Sequence, residues 1–502
     1  MTATAGALAG EVLADPLLID PAQTLAEQFG YDPAYTRNVP GFDAQGHAFI
    51  RSRNASQDDT SFVHTFDEGA WRRFDLLAAL RAAYPDFAGT VGAGGHFSAR
   101  IAFDTGGRAY TVLTIRREEG DLVNVLLYSL DRCRTWRAVT LPLGGQHAVF
   151  DGKNLGNVAC EHFTGHNVIH GPPFVAVWRT VGEWRGAWAS RNELYVLQPY
   201  FDGDELVVPE PTLVSRRFLG MCQVAGDSSF AASAADRTYF TWTEVTRPGQ
   251  GGSPTYVAVF DPLTGAVGRK HLVARAQPAN DCHTTPGICL DGAGYLHVVT
   301  GAHTKPFLYV RSLLPHDVTL WTGAKRVLDS GWRTAETDRD GRALQTYLSF
   351  LCDVDDRLHI VFRQARRGVD ALFGGRAFRA LCHQMKPPNG AWSRSTVLAA
   401  GTRQEGYVNY YQRLAISPDG RLFLSLNYYT HDRPVPLRPY GRFRQRMLLV
   451  SADGVVWRFA EDADLTPAAE GPLTAADLAA GATQATGVVQ AAVAAGPGDQ
   501  AP

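Results

Sequence analysis

A short pattern of residues returns at nearly regular intervals along this chain. Each copy is an apolar strand, a turn containing aspartate or glycine, and a second strand in which apolar and aromatic residues alternate. The turn aspartates of these copies are Asp43, Asp104, Asp236, Asp291, Asp355 and Asp419. They lie roughly 60 residues apart, except for one interval about twice as long. Residues 174–198, with a hairpin lengthened by residues 181–189, fit the missing copy, so the sequence predicts seven units.

The later half of each unit predicts two further strands. Examples are residues 124–129 with 136–140, and residues 307–312 with 325–328. Seven units of four strands predict an all-β fold, a seven-bladed β-propeller.

The ends of the chain differ from its repetitive middle. We expect residues 1–37 to form an N-terminal extension with a short helix around residues 21–29, and residues 38–466 to form the propeller. A second helix is predicted at residues 71–84. The Ala/Gly-rich residues 467–502 are predicted to be a disordered tail.

Composition narrows the classes of partner. The net charge is −2 and 20% of the residues are charged, which excludes the basic field of a nucleic-acid binder. No apolar run approaches the roughly 18 residues of a membrane span. The 7 cysteines are scattered and odd in number, so no disulfide framework is predicted. We expect a monomer that is cytoplasmic if the chain is complete, and secreted or periplasmic if a leader was removed.

Two histidines flank one of the predicted hairpins. His283 precedes its first strand and His303 follows its second, with the turn at residues 291–294. A tight antiparallel turn brings the far ends of two strands side by side, so both imidazoles are expected at one rim. Such a pair suits acid/base chemistry or anion binding. The simpler alternative is that one or both histidines only hydrogen-bond to a turn.

A second motif concerns the scaffold. Residues 129–136, Ser-Leu-Asp-Arg-Cys-Arg-Thr-Trp, resemble the Asp box of sialidase-type propellers, Ser-x-Asp-x-Gly-x-Thr-Trp, with Cys133 in place of the glycine. Residues 451–457 are a looser copy. The aspartate is expected to cap backbone N–H groups and the tryptophan to pack between strands, which is a structural role.

The region around the two histidines resembles a known family over residues 281–366. Its motifs are His283-x-x-Pro286, Gly294-Tyr295-x-His297-Val298, Gly301-x-His303 and Tyr309-x-Arg311-Ser312. They are similar to the signature of BNR-type propellers that include polysaccharide lyases, such as ulvan lyases and rhamnose–glucuronate lyases. In that family a tyrosine and an arginine follow the two histidines on the next blade. Tyr347 and Arg363 stand at those positions here, although the signature lies on the fifth unit and is expected nearer the N-terminus in ulvan lyases.

The resemblance implies β-elimination in an acidic polysaccharide or oligosaccharide, with His283, His303, Tyr347 and Arg363 as catalytic residues. A lyase removes the C5 proton of a glucuronic or iduronic acid and expels the sugar linked through O4. Arginine can neutralise the carboxylate in a bidentate pair, and histidine can donate to it or act as base. Tyrosine can take the proton and return one to the leaving oxygen. As alternatives, Tyr347 is a packed strand residue and Arg363 forms a salt bridge between blades.

No cofactor is required for this catalysis, and a structural metal ion is left open. Residues 160–170 hold one cysteine and three histidines at four-residue spacing, but a zinc site needs four converging ligands. The neighbouring glycines and prolines favour a loop, so no metal ligand is assigned. His166 and His170 are expected to bind substrate in the central cleft. Tyr410 and Tyr428 are predicted either to stack on sugar rings or to fill the core between blades.

Two other functional classes compete with a lyase. One is a glycoside hydrolase, because related propellers include a rhamnosidase activity on rhamnose–glucuronate termini. The other is a glycan-binding propeller without catalysis. A sialidase is disfavoured, because its N-terminal arginine motif is not found.

Overall fold

The structure is a computed structural model. It describes residues 17–19, 39–53, 61–67, 70–91, 100–117, 122–143, 148–150, 153–155, 158–183, 190–221, 228–234, 236–247, 249–301, 303, 305–327, 345–367, 377–401, 409–429 and 443–467. Within these residues no helix is both long enough and apolar enough to cross a bilayer. The fold is all-β, with seven sheets that follow one another along the chain as blades 1 to 7.

The first strand of the described chain, β1 (Leu17–Ile19), adds to a later blade. The strands of the first half of the ring come after it. Blade 1 contains β2 (Gly41–Phe42), β3 (Ala48–Arg53), β4 (Ser61–Asp67) and β5 (Ala70–Asp75). Blade 2 contains β6 (Phe87–Val91), β7 (Ala102–Phe103), β8 (Ala109–Arg117), β9 (Leu122–Ser129) and β10 (Arg137–Thr140). A separate hairpin follows, β11 (Ala148–Phe150) with β12 (Lys153–Leu155). Blade 3 contains β13 (Val158–Cys160), β14 (Val175–Glu183), β15 (Ser190–Leu197) and β18 (Thr212–Phe218), and is interrupted by the hairpin of β16 (Tyr200–Asp202) and β17 (Glu205–Val207).

The second half of the ring is more regular. Blade 4 contains β19 (Ala231–Ala234), β20 (Arg237–Thr243), β21 (Ser253–Phe260) and β22 (His271–Ala276). Blade 5 contains β23 (Gly287–Leu290), β24 (Leu296–Thr300), β25 (Leu308–Arg311) and β26 (Lys325–Arg326). Blade 6 contains β27 (Gln345–Cys352), β28 (Leu358–Arg367), β29 (Ala377–Lys386) and β30 (Thr396–Gly401). Blade 7 contains β31 (Asn409–Ile416), β32 (Leu422–Tyr429), β33 (Phe443–Ser451) and β34 (Arg458–Phe459).

Neighbouring strands within each blade are antiparallel. The first strands of blades 4 to 7 pack against one another in turn, which places them at the ring axis. In blade 2 the first position is shared, because β6 and β7 both pair with β8. The N-terminal β1 adds to the outer edge of blade 6, where it runs parallel to β30 with Leu17 opposite Ala399.

Seven hydrophobic clusters hold the ring together, one between each pair of adjacent blades. The seventh cluster joins the last blade to the first, where the rings of Phe42 and Phe423 lie 4.9 Å apart between centroids. Apart from β1 at the edge of blade 6, each blade in the described part of the chain is built from its own contiguous segment. The ring therefore closes by side-chain packing and not by strand exchange.

The predicted turns form as expected in blades 1, 2 and 5 and need a correction in blades 6 and 7. In blades 1, 2 and 5 the predicted aspartate accepts backbone N–H groups two and four residues later; the Oδ1 atom of Asp104, for example, lies 2.9 Å from the nitrogens of Gly106 and Arg108. In blade 6 the residue with these contacts is Asp353, not Asp355. In blade 7 the turn is capped by Ser417, not by Asp419. The predicted residues lie two positions too late to reach the returning N–H groups.

The third unit also differs from its prediction. Its inner hairpin is β13 with β14, and these strands are joined by a long loop, residues 161–174, in place of an Asp/Gly turn. Residues 174–198 hold its second and third strands. The sequence signal failed here because the turn itself was replaced.

The Asp boxes form as expected. The Oγ atom of Ser129 donates to Asp131 and accepts from the backbone N–H of Cys133, and buried Trp136 donates from its indole to the Cys133 carbonyl. Cys133 has φ +69°, the left-handed region that favours glycine, which explains the glycine of the common motif. Residues 451–457 repeat these contacts.

The helix predicted at residues 71–84 is shorter than expected. β5 continues to Asp75, and α1 spans only Leu76–Ala83. The helix starts there because the Asp75 side chain accepts from the N–H of Leu77 at 2.8 Å, and its leucines are buried between blades 1 and 2. The predicted helix at residues 21–29 and the tail beyond residue 467 lie outside the described residues.

Candidate functional site

Four of the predicted residues lie at the start of the inner strands of blades 5 and 6. His283 precedes β23, and His303 follows β24, the antiparallel partner of β23. Tyr347 lies in β27, and Arg363 lies in the neighbouring β28 opposite Thr346. The hairpin of blade 5 and the first strand pair of blade 6 therefore deliver all four side chains to one place.

The aromatic rings of this group are in contact. The ring centroids of His283 and His303 are 4.3 Å apart, and that of Tyr347 is 5.6 Å from the first and 4.9 Å from the second. The guanidinium carbon of Arg363 lies 4.9 Å from the centre of the Tyr347 ring. These distances are short enough for all four groups to reach one bound sugar.

A residue that the sequence interpretation did not assign anchors the two histidines. The carboxylate of Asp281 is buried, and its two oxygens lie 2.7 Å from Nδ1 of His283 and 2.7 Å from Nδ1 of His303. We call these three residues, together with Tyr347 and Arg363, the Asp281 cluster. The signal in the sequence was an acidic residue two positions before His283.

The shared carboxylate sets the orientation of both imidazoles. An ionised carboxylate only accepts hydrogen bonds, so each Nδ1 carries the proton and each Nε2 lies on the far side of its ring from Asp281. Burial alone would raise the pKa of Asp281, but the hydrogen bonds from His283 and His303 outweigh it and hold this pKa well below its usual range. Asp281 therefore stays ionised and accepts a hydrogen bond from each histidine.

Tyr347 has an unusual backbone. Its φ is +63°, a conformation that costs a non-glycine residue free energy, and the register of β27 shifts between Thr346 and Ser349. Its carbonyl oxygen accepts a hydrogen bond from the side-chain amide of Gln412 in blade 7. A neighbouring blade thus stabilises the bulge that turns this tyrosine toward the histidines.

A metal ion fits the Asp281 cluster poorly. Asp281, Cys282 and His283 place one ligand atom each within 4.8 Å of one another. Both carboxylate oxygens already accept from imidazole nitrogens, so this aspartate has its strongest acceptor positions occupied. The arrangement is better suited to proton transfer and to binding an anion.

Two of the residues expected to bind substrate, His166 and His170, lie on the long loop of blade 3, and the side chains of the other two are not described. His166 donates from Nε2 to the carbonyl oxygen of Asp353. Asp353 follows the last residue of β27, at the opposite end of that strand from Tyr347. His170 is exposed on the same loop. The structure therefore does not bring His166 to the Asp281 cluster. Tyr410 and Tyr428 lie in the paired strands β31 and β32, but their side chains are outside what the structure describes.

Comparison with known families covers this region. Residues 264–429 match the family described as BNR repeat-containing family member. The repeats are of the BNR type. The matched range is less than half of the chain, but it contains the whole Asp281 cluster. No curated protein sequence matches the chain.

Solved structures resemble the chain only distantly. One is an ulvan lyase of family PL25 bound to -[GlcA(1-4)Rha3S]-, with 10% identity over 86% of this chain and 96% of that chain and a TM-score of 0.40. Another is the α-L-arabinanase of Penicillium chrysogenum complexed with arabinobiose, with 12% identity over 70% and 92% and a TM-score of 0.38. The polysaccharide lyase Uly1 is 16% identical over 51% of this chain and 60% of its own length, less than two thirds, with a TM-score of 0.30. At such scores the function rests on the chemistry of the site.

Proposed function

We propose that the protein is a polysaccharide or oligosaccharide lyase that cleaves uronate-containing glycans by β-elimination in the Asp281 cluster. The observation that carries this proposal is one carboxylate shared by two histidines, in ring contact with a tyrosine that lies beside an arginine. Each group in this set has a distinct task in removing a proton next to a carboxylate.

The first task is to neutralise the carboxylate of the uronate. Loss of the C5 proton places negative charge beside an existing negative charge, so cationic donors must lower the energy of the transition state. Arg363 supplies a permanent charge in a planar fork. Each histidine can add an N–H donor through Nε2, because Asp281 holds Nδ1 and fixes the orientation of the ring.

The second task is proton transfer. A base takes the C5 proton, the C5–H electron pair forms the C4=C5 double bond, and the C4–O bond breaks with its electron pair on O4. The leaving O4 then receives a proton. We assign this role of base and acid to Tyr347, and the contact of its ring with both histidines supports the assignment. A histidine whose Nε2 carries no proton is the other candidate base.

The alternative of a glycoside hydrolase is less well supported by the site. Most such enzymes need two carboxyl groups about 5–10 Å apart, one of them protonated. Among the described contacts of the cluster the carboxylate is Asp281, whose pKa is held low and whose oxygens are both bonded to histidine. A group in that state is a poor general acid.

The decisive experiment is a screen of glucuronate- and iduronate-containing glycans with two readouts. A lyase produces an unsaturated uronate whose conjugated double bond absorbs in the ultraviolet. A hydrolase would release reducing ends without this absorbance, and a binding module would release neither while still retaining the glycan on an affinity gel. Absence of the unsaturated product on every uronate glycan that the protein binds would refute the lyase.

A further inference from the structure

A second group of chemically reactive side chains lies at the other end of the same inner strands. Cys289 is near the end of β23 and Cys352 is the last residue of β27, whereas His283 and Tyr347 are near the beginnings of these strands. His166 comes from the long loop of blade 3, and Asp356 comes from the turn after β27. We call these four residues the His166 cluster.

The donor atoms of three members converge. The ligand atoms of His166, Cys352 and Asp356 all lie within 4.8 Å of one another, and Nε2 of His166 is 3.0 Å from Oδ1 of Asp356. In a tetrahedral zinc site, bond lengths of about 2.0–2.3 Å place neighbouring donor atoms roughly 3.3–3.8 Å apart. Small shifts of these side chains are therefore enough to bind one ion.

Cys289 lies next to Cys352 but is not one of the converging donors. Its thiol is within hydrogen-bonding contact of the Cys352 thiol, which in turn contacts His166. Both cysteines are fully buried and lie in the apolar cluster between blades 5 and 6. The side chains of His166 and Asp356 are partly exposed, so the three converging donors lie where this apolar cluster meets solvent.

Two glycines allow the chain segments around this group to approach one another closely. A Cβ atom at Gly165 would lie 1.9 Å from the carbonyl oxygen of Cys352, and Gly165 itself has φ +104°. A Cβ atom at Gly292 would lie 3.2 Å from Cε1 of His166 and 3.1 Å from Oδ1 of Asp356. Glycine at both positions allows three chain segments to approach around one point.

We propose that His166, Cys352 and Asp356 bind one Zn²⁺ ion, with a water molecule as the fourth ligand. The imidazole and thiolate donors select a borderline-soft ion over Ca²⁺ or Mg²⁺. The ion ties the loop of blade 3 to blade 6. This assignment is independent of the proposed lyase activity, because the ligands lie at the opposite end of β27 from Tyr347.

The test measures metal content and cobalt spectra in the full-length chain, prepared without an affinity tag and kept reduced. After incubation with Zn²⁺ and desalting, elemental analysis is expected to find about one zinc ion per chain in a site of this type. Replacement by Co²⁺ is expected to give a thiolate-to-metal charge-transfer band. Cys352→Ser should lose both signals, since a hydroxyl is a weak zinc ligand.

The matched control is Cys382→Ser, which places the same substitution in the same apolar cluster without touching a proposed ligand. It should retain zinc and the cobalt band, and a chelator should lower the unfolding temperature of the wild type and of this control but not of Cys352→Ser. If Cys352→Ser does not fold, the wild-type measurement still decides. A reduced wild-type chain that takes up no zinc, gives no thiolate band with cobalt, or retains zinc after loss of Cys352 would overturn the assignment.

Discussion

In the described part of the chain, three aspartate–histidine groups are formed by residues of blades 5 and 6 alone, and of these three the Asp281 cluster is the most open to solvent. Within blade 5, His297 bonds to Asp291 at 3.1 Å and to the Tyr309 hydroxyl at 2.9 Å. Within blade 6, His359 bonds to Asp353 at 2.8 Å and to His383 at 3.0 Å.

The contacts within these buried groups closely resemble those of the Asp281 cluster. The difference is access: the side chains of His297 and His359 are 5% and 0% exposed, whereas those of His283 and His303 are 12% and 22% exposed. An aspartate–histidine bond is therefore not by itself evidence of catalysis. Position relative to the strand ends separates a group that can meet a substrate from one that only holds a blade together.

The largest expected effect compares a tyrosine of the Asp281 cluster with a tyrosine of the buried group in blade 5. Tyr347→Phe should lower kcat on a cleavable glycan by about 10²–10⁴-fold, because one positioned acid/base group is lost while the ring still packs. Tyr309→Phe removes the corresponding hydroxyl from the buried group in blade 5 and should leave kcat unchanged. Initial rates of unsaturated product formation, with thermal unfolding of both variants, provide the measurement. Similar loss of activity in both variants would break the comparison.

Arg363→Ala should weaken substrate binding and rate together, because its carboxylate partner is present in both the ground state and the transition state. The loss in kcat/KM should correspond to about 2–5 kcal/mol, the usual cost of removing one partner of a desolvated charge pair. Steady-state kinetics check this, and an effect on kcat alone would contradict the assigned role. Arg311→Ala is a control, because Arg311 stacks 3.7 Å from the centre of the Tyr295 ring within blade 5.

Asp281→Asn should lower kcat by about 10²-fold, since both imidazoles lose the carboxylate that orients them. Its effect on stability should also depend on pH. The wild-type carboxylate has a depressed pKa, so its contribution to the free energy of unfolding is present above its unfolded value of about 3.9 and is lost as pH falls below it. The difference in stability between the two proteins should therefore shrink in acid. A constant difference would mean that Asp281 is not the charged partner.

These predictions rest on features that the sequence reveals unequally. The seven blades were predictable because each Asp turn is a local structure whose side chain reaches N–H groups only a few residues away. The convergence of His283 and His303 was predictable for the same reason, since one hairpin holds both. The backbone of Tyr347 was not, because tyrosine is disfavoured at positive φ and the bulge depends on Gln412 in another blade. The contact between His166 and blade 6 was equally hidden, as it joins residues far apart in the chain.

The smallest expected effect concerns the buried group of blade 6. Burial holds the pKa of His383 well below its usual value, so the unfolded chain takes up a proton that the folded chain does not. Stability is therefore complete above about pH 6.5 and should fall as pH drops below it, by at most about 1.4 kcal/mol per pH unit from this residue. Urea unfolding between neutral and acidic pH should show a shallower slope for His383→Gln. An unchanged slope would show that another group is responsible.

The manner in which the ring closes has a consequence for how the chain can be rearranged. The strands of each blade are consecutive in the chain, with β1 added at the edge of blade 6, and a Cβ atom at Gly46 would lie 3.9 Å from the Cα atom of Pro467. The two ends of the propeller segment are thus neighbours in space. A circular permutant that links them and opens the chain between any other pair of blades would keep the consecutive strands of each blade together. The order of the blades along the chain is therefore not dictated by the packing of the ring.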